Sequence, residues 1–245
     1  MTTIPFLNLG LAFIPVVIVI VITWKWQSNY RTSIYAIFRM LIQLLLIGYV
    51  LAYLFEADKS WVVIIVLTVM LFASAWIGLR TIHGVTIKVY VKALLAITVG
   101  GVSVLALVTQ GVLQLQPWYL PSFVIPLAGM IFATAMNSIS LAGERLEAEI
   151  NRNLSYDEAK VIAFQASLIP TINSLFAVGL VSLPGMMTGQ ILSGVSPFIA
   201  ARYQIMVMCM IFGSAGISSA LFLSWIRSEF TSGHGTKVRT KSYSD

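Results

Sequence analysis

The stretch Trp61–Leu79, WVVIIVLTVMLFASAWIGL, runs without one charged residue. A helix needs roughly 20 mostly apolar residues to cross the hydrocarbon core of a bilayer, and this run meets that need. Working outward from it, six more runs of the same kind lie at 5–23, 34–55, 90–109, 123–141, 166–192 and 203–226. The pattern predicts an all-α membrane protein, a bundle of seven transmembrane helices. A hydrophobic share of 58% and a charged share of 10%, against about 25% charged in soluble domains, exclude an ordinary soluble fold. The links between runs are too short for a soluble domain, so 1–226 reads as a single transmembrane domain and 227–245 as a basic tail. No basic residue precedes the first run and no small-residue cleavage site follows it, so it is expected to stay as a span rather than be removed as a leader. The lone cysteine, Cys209, allows no disulfide within the chain.

The distribution of charge orients the bundle. Lys25 and Arg31 fall at the first link, with Arg39 just inside the second run, and Arg80, Lys88 and Lys92 at the third. Arg145, Arg152 and Lys160 occupy the fifth link, and Arg227, Lys237, Arg239 and Lys241 the tail. The opposite set of links holds only Lys59 and Arg202. Basic residues favour the cytoplasmic side, which predicts an outside N-terminus and a cytoplasmic C-terminus. The net charge of +6 is thereby a matter of membrane orientation, and no nucleic-acid partner is expected.

All nine acids, Glu56, Asp58, Glu144, Glu147, Glu149, Asp157, Glu158, Glu229 and Asp245, lie outside the seven runs. An ion-driven transporter keeps a carboxylate at membrane depth for its coupling ion, so a gradient-driven secondary transporter is the alternative reading and the disfavoured one. A seven-span receptor fits the count, but no outer cysteine pair and no intramembrane lysine support it. His83 and His234 fall in cytoplasmic segments, leaving no Ser–His or metal–His arrangement for a membrane protease. No Gly-x-x-x-x-Gly-Lys-Ser/Thr loop is present, so nucleotide phosphates have no P-loop in this chain. The energy source is expected on a partner.

Three local patterns carry the functional reading. Pro170 and Pro184 interrupt the run 166–192. Proline removes a backbone hydrogen bond and clashes with the preceding turn, and a helix broken at membrane depth marks a substrate path. Around the break, Leu183, Pro184, Gly185, Met186, Met187 and Gly189 form a broken-helix and packing motif, with Gly185-x-x-x-Gly189 at the spacing that lets helix backbones approach. Gln43, Asn137, Asn173 and Gln190 are candidates to line a polar path. The sulfurs of Met186, Met187, Met206, Met208, Met210 and Cys209 would suit copper(I), but methionine is ordinary apolar filler, and no metal ligands are assigned.

The third pattern is the most polar segment, 143–160, which carries five of the nine acids. Leu146, Ile150 and Leu154 recur every four residues, predicting a helix from about Glu144 with one apolar stripe. Asn153 suits the left-handed residue after a helix end, and Ser155-x-x-Glu158 is a capping box that starts the next helix. The segment therefore reads as helix, tight turn, helix, a cytoplasmic elbow over about 143–165. Glu147-Ala148-Glu149, then Asn153 and Ala159, resemble the EAA loop of importer-type ABC permeases, with Glu149 in place of the second Ala and Asn153 in place of the Gly.

Leu180–Gln190, LVSLPGMMTGQ, followed by Pro197 and Tyr203-Gln204-Ile205-Met206, resembles the FetB family of permease subunits from an iron-exporting ABC transporter. Pro126-Leu127-Ala128-Gly129-Met130 with Asn137, and Arg39-x-x-x-Gln43-Leu44 with Gly48, are similar to the same family. The resemblance implies a cell-membrane permease for iron or a related metal ion, paired with a cytoplasmic ABC ATPase subunit and with a second copy of itself. It implies no cofactor on this chain, ATP and Mg being held by the partner. The ATPase-coupling residues are then expected to be Glu147, Ala148, Glu149, Asn153, Ser155, Glu158 and Ala159.

Overall fold

The computed structural model describes residues 5–56 and 59–229. Of the expected basic tail, 230–245 lies outside the described residues, as does Asp58. The chain divides into two compact units, Met1–Ala57 and Asp58–Asp245.

In the first unit, α1 (Phe6–Leu11) gives way to α2 (Ile14–Lys25), and α3 (Tyr30–Glu56) follows. The expected run 5–23 is thus two helices. The join lies at Ala12 and Phe13, just before Pro15, which occupies the first turn of α2, where its missing N–H costs nothing. Gln27 takes a positive φ of 54° in the turn that reverses the chain. No residue of α2 is buried.

In the second unit, α4 (Ser60–Gly78) leads to α5 (Ile87–Ile97), α6 (Ser103–Ala106), α7 (Pro121–Asn151), α8 (Tyr156–Ala177), α9 (Gly185–Leu192) and α10 (Pro197–Trp225). α5 and α6 form one rod with two π-helical stretches, Thr98–Val102 and Leu107–Val112. Hydroxyls repair these wide turns. Thr98, Ser103 and Thr109 donate to the carbonyls of Leu94, Val99 and Leu105 at 2.7, 2.6 and 2.9 Å. That repair matters where no water can satisfy a backbone oxygen.

α7 is the axis of this unit and packs against α4, α8 and α10. Its buried residues Val124, Ala128, Ile131, Ala135, Ile139, Ala142 and Leu146 recur at helical spacing. Small residues set the closest crossings. A Cβ added to Gly100 would stand 2.8 Å from the backbone nitrogen of Ser218, and one at Gly78 3.1 Å from the Met136 carbonyl oxygen. Between helices in lipid such packing carries association, because tails are as apolar as leucine.

Six helices among the described residues are long and apolar enough to span, namely Asn8–Lys25, Tyr30–Tyr49, Ser60–Gly78, Ile87–Val112, Pro121–Asn151 and Pro197–Glu229. The expected run 166–192 is not one of them. Gln165, Ser167, Thr171, Asn173 and Ser174 dilute α8, and the helix stops at Ala177. Pro170 sits inside the continuous helix, and Pro184 caps α9 rather than causing the break. The break itself lies between, where Gly179 takes φ +82° and its N–H reaches the Ser182 carbonyl at 3.0 Å.

Candidate functional site

A cleft of about 450 Å³ opens where α7, α8, α9 and α10 meet. α7 presents Met130, Thr134, Asn137, Ser138 and Leu141, one stripe at helical spacing. α8 presents Ser167, Pro170, Thr171 and Ser174, and the break adds Val178 and Ser182. Pro184, Gly185 and Met186 close one side, and Gln204, Val207, Met208 and Ile211 of α10 close another.

Most hydroxyls here are already committed as donors. Thr134 donates to the Met130 carbonyl at 2.8 Å, Ser167 to Phe164 at 2.7 Å and Ser174 to Pro170 at 2.9 Å. Ser138 reaches across helices to the carbonyls of Ala215 (3.2 Å) and Ser167 (3.4 Å), tying α7 to α8 and α10. Gln204 is different: it is 5% exposed, and its Oε1 has no hydrogen-bond partner among the described residues. A buried amide oxygen left unpaired costs about 1–3 kcal/mol, so its place beside a cleft calls for an explanation.

The expected path residues separate. Asn137 lines the cleft. Gln190 is half-buried on α9, outside the lining, with its own Oε1 unpartnered. Asn173 is exposed on α8 away from the lining, and Gln43 is exposed on α3 in the first unit. Pro184, Gly185 and Met186 of the broken-helix motif reach the cleft, whereas Leu183 is exposed and Met187 and Gly189 are half-buried outside it. Among the described residues, nothing beyond the chain neighbours and the helix's own backbone lies within 4 Å of a Cβ added at Gly185 or Gly189. Gln204, Thr134, Ser138 and Thr171 were not among the expected path residues. The helical spacing of polar positions on α7 and α8 is a sequence signal for Thr134, Ser138 and Thr171, whereas Gln204, on α10, stands out only as part of Tyr203-Gln204-Ile205-Met206.

The elbow is built from an unbroken α7 that runs past the membrane-length portion to Asn151, rather than from a separate helix beginning near Glu144. Asn153 then takes φ +66°. Its N–H donates to the Ile150 carbonyl at 2.9 Å and that of Leu154 to Glu149 at 3.3 Å, the paired bonds of a Schellman end. Ser155 opens α8 with both halves of a capping box. Its hydroxyl and backbone N–H donate to the Glu158 carboxylate at 2.7 and 3.2 Å. The Ser155 hydroxyl and backbone bonds hold the Glu158 carboxyl below its ordinary range.

The elbow's charges are spent on one another. Glu149, 3% exposed, is gripped by Arg145 at 2.6 Å and Arg152 at 3.3 Å. Glu147, half-buried, lies 3.1 Å from the Nδ1 of His83, and accepts the His83 backbone N–H at 3.3 Å. Ala159 is buried, while Ala148, Asn153, Ser155 and Glu158 remain exposed. The first turn of α8 is fastened to the end of α10. The Tyr156 hydroxyl donates to the Leu223 carbonyl, Arg227 meets Asp157 through two bonds of 3.2 Å, and the Arg227 guanidinium lies 5.5 Å over the Tyr156 ring. Burial pushes the Tyr156 hydroxyl up to about 12, so it stays a neutral donor. Among the described residues no group of three or more His, Cys, Asp or Glu side chains is placed to hold a metal ion.

The chain matches the uncharacterised protein family UPF0014 over residues 6–162 and 154–231. A UPF0014 membrane protein of Synechocystis is 35% identical over 232 residues, 86% of this chain and 88% of that protein. The probable iron export permease protein FetB of Escherichia coli is 35% identical over 231 residues, 87% of each chain. Protein ALUMINUM SENSITIVE 3 of Arabidopsis thaliana is 31% identical over 231 residues, 86% of this chain and 83% of its own length. No solved structure matches the chain. With helices of spanning length along most of its sequence and a family match over nearly all of it, the chain belongs to UPF0014 and is a multi-pass membrane protein.

Proposed function

We propose that this chain is the membrane-spanning permease subunit of an ABC transporter that exports iron or a related metal ion from a bacterial cell. ATP and Mg are held by a separate cytoplasmic ATPase subunit, and two copies of this chain form the path. The observation that carries the reading is the 35% identity, across 87% of both chains, with the probable iron export permease protein FetB. In this reading the bundle has seven spans, with α8 and α9 together forming the broken one, an outside N-terminus and a cytoplasmic C-terminus. The asymmetry of basic residues supports that orientation.

The ATPase docks on the elbow, 147–159. Doubly capped and internally paired, that segment passes on a displacement without unravelling, and its exposed Ala148, Asn153, Ser155 and Glu158 offer a surface for a groove. The second copy packs on the open side of Gly185 and Gly189, where small residues permit close approach. Phe176, Leu180, Val181 and Phe198 are exposed near the same break.

The test is co-purification with the ATPase, followed by ATP-dependent iron transport in vesicles holding both subunits. Transport that proceeds without the ATPase but collapses with the proton or sodium gradient would establish a secondary transporter instead. A reporter fused after Trp118 is expected outside and one at the C-terminus inside. A cytoplasmic signal at Trp118 overturns the seven-span topology.

A further inference from the structure

We infer that the cleft takes its cargo as an uncharged organic solute bearing hydroxyl or amide donors, a metal ion entering only as a neutral chelate of such a solute, and that Gln204 is the group that recognises it. The inference rests on the permease reading and names the substrate class of its cleft.

The lining carries no charged side chain. The hydroxyls of Thr134, Ser167 and Ser174 give their protons to carbonyls of their own helix, which leaves lone pairs for a bound molecule. Gln204 adds an amide oxygen that nothing in the described residues satisfies, on a side chain nine-tenths buried. The buried Gln204 oxygen calls for a solute that brings its own O–H or N–H group, while the amide N–H groups of Asn137 and Gln204 can pair with that solute's oxygens. A site that hydrogen-bonds such groups rejects analogues lacking them, because its polar atoms would be left unpaired.

A bare metal ion is a poorer fit on two counts. The lining carries only amides, hydroxyls, thioethers and apolar groups, and a charge moved into such surroundings without an opposite charge loses far more hydration than neutral dipoles return. Calcium- or magnesium-sized ions need oxygens converging at about 2.0–2.6 Å, whereas these oxygens are spread over three helices around about 450 Å³. That volume falls within the roughly 300–1,000 Å³ of small-molecule sites. Met130, Met186 and Met208 supply adaptable apolar walls for the rest of the solute.

The test uses the full chain in lipid nanodiscs and three probes: ferrous chloride alone, iron(III) tris-kojate and iron(III) tris-maltolate. Both chelates are neutral, but only the kojate carries free hydroxymethyl donors. The kojate complex is expected to bind saturably, the maltolate about tenfold more weakly, and ferrous ion not at all. Gln204→Leu should bring the kojate complex down to the maltolate level. Gln204→Glu, of nearly the same shape, should gain affinity for ferrous ion and lose it for the kojate complex. Saturable ferrous binding that Gln204→Leu abolishes overturns the inference, as does equal binding of the two chelates or no binding of the kojate complex. If Gln204→Leu does not insert, the three probes on the wild-type chain decide alone. Vesicles with the ATPase separate the two readings. ATP-driven movement of bare iron sustains the permease and overturns the uncharged cargo, whereas kojate binding without ATPase association does the reverse.

Discussion

The elbow and the cleft lie on the same helix, α7, and treat polar groups in opposite ways. At the elbow nearly every charge has a partner: Glu149 holds two arginines, Glu147 meets His83, Asp157 meets Arg227, and Ser155 and Glu158 cap each other. In the cleft the hydroxyls of Thr134, Ser167 and Ser174 turn back on their own helices and Gln204 keeps an unsatisfied oxygen. Groups that satisfy one another fix a shape. The difference distinguishes a turn whose polar groups satisfy one another from a cleft that leaves one of its own unsatisfied.

Asn153→Pro should break the elbow most severely. Proline cannot adopt φ +66° and removes the N–H that bonds the Ile150 carbonyl, a loss of about 3 kcal/mol or more. Co-purification with the ATPase and ATP-driven transport should both fail while the protein still inserts. Wild-type coupling in this variant would show that the motor docks elsewhere.

Glu149→Ala comes next. It leaves Arg145 and Arg152 without their shared carboxylate, and because both arginines are partly exposed the cost should be about 2 kcal/mol rather than that of a fully buried pair. A thermal melt of the purified chain checks it. An unchanged melting point would mean that the pairing contributes nothing to the elbow's rigidity.

Gln204→Leu sharpens the comparison by its sign. An unsatisfied oxygen replaced by an apolar group of similar size should leave the protein as stable as before or stabilise it by about 1 kcal/mol, while binding of the kojate complex weakens about tenfold. Marked destabilisation would show that Gln204 is structural and that the cleft is no different in kind from the elbow.

The smallest effect belongs to the capping box. Ser155→Ala should cost about 1 kcal/mol, read as faster amide exchange across 153–158 with the rest of the bundle unaltered. The same box predicts a pH dependence. The Glu158 carboxyl is lowered by Ser155, so its contribution is fully present above its ordinary value of 4.5 and fades as pH falls through the lowered one. Exchange at these amides, taken relative to its intrinsic rate at each pH, should therefore be flat from neutral pH to about 5 and rise below it. A rise already at pH 6 would point to another group.

The elbow was readable in the sequence because its determinants are local. Asn after an apolar stripe and Ser-x-x-Glu before the next helix state their backbone roles within a few residues. What periodicity does not reveal is that the helix before the turn is the membrane helix itself, since nothing near Glu144 stops it. The broken segment was only half readable. Its prolines mark the region, but Pro170 is accommodated within α8, where Ser174 bonds its carbonyl, and the chain opens instead at Gly179. The cleft was the least readable part. Gln204 stands beside Thr171 and Asn137 only because α7, α8 and α10 come together, and a contact between residues so far apart leaves no mark at short range. The π turns of 98–112 are hidden for the same reason, since Gly100 answers to Ser218 on another helix.

The fastening of Tyr156 and Asp157 to Leu223 and Arg227 has a mechanical meaning. α8 and α10 are two blades pinned at one end, with the pin beside the elbow and the cleft toward the far ends. Twenty-two residues of helix separate Tyr156 from Val178, a lever of about 33 Å at 1.5 Å per residue. Opening the blades by about 5° moves their tips apart by about 3 Å, roughly one water diameter, while the pin hardly shifts. Under the proposed docking, a small tilt imposed at the elbow would be magnified at the cleft, with slack available in the seven-residue gap between α8 and α9 that lies outside any helix.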